Sequence, residues 1–239
     1  MPLDHSLTYT DGRLRNLTHR MRLRHIARLA KKHVPSHVAN YADFGCSNGY
    51  LTNLLAGLIG ARQSYGFDSN TDNLKAAQAA YPTINFQKLD LNKHQADLPF
   101  DFVTCLETLE HVGNLDNALQ VLLNSVKPGG TLLIAVPIEI GLVGLGKIIA
   151  KRSLGRELKE LGILPKDYLL ALLRGRRLSQ FRPGKERYAT HLGFDYRDID
   201  DFLCSRKNKV LTKAINKSTT RFYVVRHSDV NLFLTDAKI

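Results

Sequence analysis

Tryptophan is absent from this 239-residue sequence, cysteine appears only three times, and no apolar run approaches the roughly 18 residues that a membrane-crossing helix needs. Each lack removes a class of protein. Cys46, Cys105 and Cys204 are odd in number and widely spaced, and no CxxC pair occurs, so neither a disulfide framework nor a zinc site is indicated and no metal is expected. Buried, reduced thiols account for all three. The opening MPLDHSLTYTDGR has no apolar signal core, so the cytoplasm is the expected location. Internal repeats and low-complexity tracts are missing too, and with 44% apolar and 23% charged residues the composition is globular rather than fibrous or disordered. The length suits one or at most two domains, with a core large enough to need no staples.

Acidic side chains are missing where basic ones gather. Residues 12–42 hold eight basic side chains (Arg13, Arg15, Arg20, Arg22, Arg24, Arg28, Lys31, Lys32) and no acidic one, and residues 147–187 hold twelve basic against four acidic. The whole chain carries +12 with His neutral, so these two stretches at +8 each leave the remainder at −4. A mildly acidic body with two basic attachments attracts anions: phosphate, nucleic acid or an anionic lipid surface.

From residue 37 to 137, short apolar runs alternate with amphipathic stretches, the pattern of a parallel sheet wrapped by helices. VANYADFG reads as a strand and YLTNLLAGLIG as the helix after it. QSYGFD, INFQKLD, DFVTCLE and TLLIAVP read as further strands, separated by the helices NTDNLKAAQAAY and LDNALQVLLNSV. The second of these helices is expected to close at Lys127-Pro128-Gly129-Gly130. Right-handed crossovers then give a doubly wound α/β sheet. Residues 1–36 form a basic helical cap, with Leu14, Leu17, Met21, Ile26 and Leu29 near one face. Residues 138–192 read as a helical insertion over the substrate, and 193–239 as a helix and an antiparallel hairpin that complete the core.

Three strand ends carry the polar residues. Asp43-Phe44-Gly45-Cys46-Ser47-Asn48-Gly49 turns from the first strand into the first helix, where Gly45 and Gly49 let the backbone approach a ligand. Its spacing is neither GxGxxG nor GK[ST], which disfavours a pyrophosphate cradle. Asp68, followed by Ser69, ends the second strand, where a carboxylate can accept both hydroxyls of a ribose or act within a helix cap. Asp90-Leu91-Asn92 follows the third strand; the acid can receive an exocyclic amine and Leu91 can cover a ring, or the acid can be a plain loop residue.

Together with Phe100-Asp101-Phe102-Val103-Thr104-Cys105-Leu106-Glu107-Thr108-Leu109-Glu110-His111-Val112 and Lys127-Pro128-Gly129-Gly130, these segments resemble the class I S-adenosylmethionine-dependent methyltransferases, closely over residues 38–137 and more loosely to the terminal hairpin. The resemblance implies a seven-stranded, mainly parallel sheet with its last strand antiparallel. It implies S-adenosylmethionine as cofactor and S-adenosylhomocysteine as product. It sets Asp43 and Gly45 beside the methionine part, Asp68 on the ribose, Asp90 near the adenine and Leu106 or Glu107 at the mouth of the fourth strand, and it counts Cys46, Ser47, Gly49, Ser69 and Leu91 among the cofactor-binding residues. The segment Leu106–Val112 is similar to that of quinone-precursor O-methyltransferases. No [ND]PP[YF] stands at that strand end, which disfavours amino methylation of bases, and Cys105 inside an apolar strand reads as packing rather than as a nucleophile.

An activated sulfonium methyl asks mainly for alignment in a dry pocket. An oxygen acceptor also asks for a base, for which His111 and His191 are the candidates; a packed ring and a lid brace are their structural alternatives. In this family the acceptor is covered by the N-terminal helix and the insertion, the two basic stretches, so the expected acceptor is small and anionic or lipid-linked, methylated at oxygen. Residues 141–152, apolar with a basic end, suit a membrane interface as well as a soluble lid. That leaves the chain cytoplasmic or peripheral to the inner face of a membrane. RNA is the weaker partner, with only Tyr168, Phe181 and Tyr188 to stack bases, and a silent cofactor-binding subunit is the third reading.

Overall fold

The computed structural model describes residues 17–94, 99–141, 144, 158, 162–182, 184, 191–206, 210–217 and 219–227. The apolar runs pair as expected: β1 (Asn40–Phe44), β2 (Gln63–Asp68), β3 (Asn85–Lys88), β4 (Phe100–Leu106) and β5 (Val126–Pro137) are parallel, and β6 (Val210–Lys217) and β7 (Thr220–His227) form the hairpin. The sheet order is β3-β2-β1-β4-β5-β7-β6. The last strand is the antiparallel one, and it lies inside the sheet between β5 and β6.

Side chains alternate across each strand, so the sheet has two apolar faces. Tyr41, Phe102, Leu106, Leu133 and Phe222 face α1 (Leu17–His33) and α2 (Tyr50–Ile59), where Ile26, Ala30 and Leu55 are buried. Ala42, Val103, Cys105, Ile134 and Tyr223 face the other way, onto α4 (Leu115–Asn124) and α6 (Arg197–Cys204). Between β2 and β3 runs α3 (Thr71–Ala80), capped by Asn70, whose side chain accepts the N–H groups of Asp72 and Asn73. Within the insertion, α5 (Pro165–Leu173) and a 3₁₀ turn (Leu178–Phe181) bury Tyr168, Leu172, Leu178 and Leu192 in a small core of their own.

Two local expectations are corrected. Lys127-Pro128-Gly129-Gly130 does not end a helix; α4 stops at Asn124 and these residues belong to β5. The register jumps there, from Phe100↔Val126 to Phe102↔Thr131, and Gly129 sits at φ 75°, so the four residues form a bulge that only a glycine conformation closes easily. On α1 the inward face runs through Arg22, Ile26 and Ala30, while Met21 is 40% exposed. Arg22 lies four residues before Ile26 and so shares its face. The interface stretch 141–152 lies outside the described residues except for Gly141 and Gly144, and Leu14 and Tyr188 lie outside them altogether.

Candidate active site

The carboxyl ends of the parallel strands meet at one edge, where an open sheet holds its ligands. After β1, left-handed backbone alternates at Gly45 (φ 81°), Ser47 (φ 48°) and Gly49 (φ 76°). The N–H groups of Gly45 and Cys46 both donate to the Phe67 carbonyl, at 2.7 and 3.0 Å, which folds this turn over the tip of β2. A Cβ on Gly45 would stand 2.1 Å from Thr108 Oγ1, and one on Gly49 2.6 Å from the Phe86 ring. Asp68 fastens the turn from below: its Oδ2 accepts the Ser47 N–H at 2.9 Å and its Oδ1 the Asn70 N–H at 2.8 Å. Each oxygen keeps a lone pair for a ligand hydroxyl. Ser47 Oγ is buried without a hydrogen-bond partner, a polar atom that fits a polar ligand in the cleft.

That turn roofs a first cleft of about 240 Å³, lined by Ser47, Asp68, Ser69, Leu89, Leu91 and Thr108 among others. Leu89 and Leu91 supply apolar walls. Asp90 stands between them with Oδ1 accepting the Asn92 N–H at 2.9 Å, and the cleft wall is made by its neighbours. Beneath the turn, Asp43 is 3% exposed and its two oxygens accept the hydroxyls of Thr104 and Thr52, both at 2.7 Å. Thr104 gives its single proton to Asp43, so the Tyr41 hydroxyl, 2.8 Å away, donates to Thr104. Burial raises the Asp43 pKa to about 6 despite these donors. Burial also pushes the Cys46 and Cys105 thiols up, which leaves both as unreactive thiols, whereas Cys204, expected to be buried as well, is exposed at the end of α6.

A second cleft of about 300 Å³ adjoins the first, and Gly45, Ser47, Glu107 and His111 line both. His19 and Arg22 of α1 close one side, Cys46 and Leu106 form part of the floor, and Glu110, His111 and His191 complete it. Glu107 has φ 52°, a left-handed backbone uncommon for a side chain of its size. Arg22 pairs with Glu107 at 2.5 Å and donates from Nε to Thr220 Oγ1 at 2.9 Å, so the N-terminal helix is tied to the site. His191 Nδ1 lies 2.9 Å from Glu139 Oε1, and the His111 and His191 rings meet edge to face with centroids 4.8 Å apart. Arg182 Nη2 donates to the carbonyls of Glu110 and Val112 at 2.8 and 2.6 Å, holding the turn after β4.

The fold thus brings Asp43, Gly45, Cys46, Ser47, Asp68, Ser69, Leu91, Leu106, Glu107, His111 and His191 to one pair of joined clefts. His111 lies in a turn ahead of α4. Gly49 stands one step back, as the first-turn cap of α2. Sequence reasoning passed over His19, Arg22, Glu110 and Glu139 as site residues. The Glu107-x-x-Glu110-His111 spacing was a signal for one of them, since a tight turn brings such neighbours to one side.

The sequence profile of the methyltransferase domain matches residues 13–162. A ubiquinone biosynthesis O-methyltransferase from Colwellia psychrerythraea is 40% identical over 96 residues, covering 38% of this chain and 38% of that protein. The chain matches little more than a third of the length of such curated relatives. Among solved structures, the PH0226 protein from Pyrococcus horikoshii superposes with a TM-score of 0.60 at 17% identity, over 93% of this chain and 96% of that one. The N-methyltransferase NodS from Bradyrhizobium japonicum, in complex with S-adenosylhomocysteine, has a TM-score of 0.56 at 12% identity, over 93% and 95%. With that fold, and with a profile match over more than half its length, the chain belongs to the methyltransferase-domain family, in the class I group that uses S-adenosylmethionine.

Proposed function

We propose that this chain transfers the methyl group of S-adenosylmethionine to an oxygen of a small, anionic or lipid-linked acceptor. The observation that carries the reading is the pair of joined clefts sharing Gly45, Ser47, Glu107 and His111. One has the walls and carboxylate for a nucleoside; the other has three imidazoles, one of them, His19, carried by the N-terminal helix. The bound cofactor supplies an electrophilic methyl on sulfur. Asp68 would hold the ribose hydroxyls, Leu89 and Leu91 the faces of the adenine, and Ser47 and the Gly45 turn the methionine end.

The residues of the second cleft position the acceptor. Transfer to oxygen would make a carbon–oxygen bond in place of the carbon–sulfur bond and would release the hydroxyl proton, so the cleft must loosen that proton. His111 and His191 are the groups that activate this hydroxyl. Arg22 is committed to Glu107 and Thr220, so the anionic part of the acceptor meets the exposed arginines of α1, such as Arg24 and Arg28, rather than the reacting end. A lipid tail finds support on α5 and at its two ends, where Leu164, Leu169, Leu170 and Leu173 are exposed beside Lys166 and Arg174.

Transfer of a tritiated methyl group from the cofactor into a cell extract, with the labelled product identified by mass spectrometry, tests this reading. An oxygen-methylated small or lipid-linked product is expected. Label only in RNA or protein, or at nitrogen, would overturn the acceptor class.

A further inference from the structure

We propose that Glu110, His111 and His191 bind a divalent first-row metal ion in the acceptor cleft, and that this ion holds the acceptor's hydroxyl oxygen. The oxygen-acceptor half of this inference rests on the methyl-transfer reading above; the ion site stands on its own observations. One carboxylate oxygen and one nitrogen from each ring all lie within 4.8 Å of one another. Tetrahedral ligands at metal-bond lengths stand about 3.4 Å apart, so a small inward turn of the side chains completes the set. The three residues come from two separate places, the turn after β4 and the return from the insertion, and folding alone brings them together.

Glu110 supplies the independent mark of a missing partner. Three acidic residues are buried among the described ones: Asp43, Asp195 and Glu110. Asp43 accepts two hydroxyls, and Asp195 accepts the Leu178 N–H and the Arg197 guanidinium. Glu110 is 1% exposed, yet its Oε2 has no hydrogen-bond partner, and among the described residues no cation forms an ion pair with it. The nearby Arg182 directs Nη2 at main-chain carbonyls instead. A buried carboxylate oxygen in that state is costly unless something positive meets it.

The surroundings suit an ion as well. Glu139 accepts from or faces Nδ1 of His191 at 2.9 Å, the carboxylate–histidine arrangement that orients a metal-binding ring and leaves its other nitrogen for the ion. Two imidazoles with one carboxylate favour manganese, iron, cobalt or zinc over calcium. Three protein ligands leave coordination positions open, and the cluster lines the same cleft as Gly45 and Ser47, so an open position faces the acceptor. A hydroxyl bound there releases its proton more easily; the proton goes to solvent, the oxygen takes the methyl carbon, and the carbon–sulfur pair returns to sulfur.

Titration of chelator-stripped protein with Mn²⁺ and with Zn²⁺, followed calorimetrically and for manganese by electron paramagnetic resonance, tests the site. One ion per chain is expected, with affinity reduced on the order of tenfold or more in Glu110→Gln and in His191→Asn. His191 is 42% exposed at its side chain, so its variant keeps the fold if Glu110→Gln does not. S-adenosylhomocysteine binding is measured on the same stripped samples. Cofactor binding without any ion, or an ion whose affinity neither variant changes, overturns the metal site and leaves the methyl-transfer reading standing. Failure of folded protein to bind either overturns both.

Discussion

The main-chain N–H of Ser47 and the carboxylate of Asp68 are joined at 2.9 Å, linking the turn after β1 to the tip of β2. The same carboxylate oxygen therefore shapes the turn and presents a lone pair to the cleft that the turn roofs. Removing it should loosen the roof and delete the ribose contact together.

Asp68→Ala is accordingly expected to lower S-adenosylhomocysteine affinity by about 10- to 100-fold, about 1.4–2.8 kcal/mol, in calorimetric titration. Asp68→Asn keeps one acceptor oxygen and should lose less. Equal losses in the two variants would contradict the double role.

Gly45→Ala places a methyl group 2.1 Å from Thr108 Oγ1 at φ 81°. Left-handed strain and overpacking together should destabilise the protein by about 2–4 kcal/mol in urea unfolding. Thr108→Ala removes Oγ1 and Cγ2, the two closest atoms, and should restore part of that loss in the double variant. The conformational share, about 1 kcal/mol, should persist.

Asp43 lets stability be read against pH. Its folded pKa is raised from 3.8 to about 6, so the fold favours the protonated form. Well below pH 4 the group is neutral in both states and imposes no penalty. Stability then falls as pH rises from about 4 to 6, and above that the ionised carboxylate costs about 2–3 kcal/mol. Asp43→Asn should therefore raise the melting temperature at pH 8 by roughly 4–10 °C and give little gain at pH 4. A gain that is constant with pH would point to packing instead.

The exposed leucines of α5 and the basic side chains beside them predict contact with anionic bilayers. Flotation with phosphatidylserine-containing vesicles should carry the protein up at low salt and less of it at high salt. Leu169→Ser with Leu173→Ser should reduce flotation in both, whereas no flotation of the parent chain at low salt removes the lipid-linked branch of the proposed acceptor.

Strand assignments were legible because β1, β2, β4 and β5 each contain a short, largely apolar run, and the cofactor side because Gly45 follows β1 directly and Asp68 ends β2. The bulge at Pro128-Gly129 was not, since a Pro-Gly pair reads as a helix stop and only the register jump beside Phe100 shows that it lies within a ladder. Arg22 was counted as surface charge; its inward face follows from Ile26, but its partner Glu107 is remote in sequence. Glu110 and His191 are separated by the whole insertion, and no periodicity links a turn to a segment so distant. Residues meeting through tertiary contact carry no local signature, so the acceptor side of the site needed the fold.

The placement of β7 between β5 and β6 also governs how the protein can be made. Synthesis delivers β5 long before the strand that flanks it, so until residue 227 has left the ribosome the Thr131–Pro137 edge has no neighbour. A nascent chain arrested anywhere before that point exposes an apolar, hydrogen-bond-hungry border, and interrupted translation should yield aggregates rather than a smaller folded enzyme.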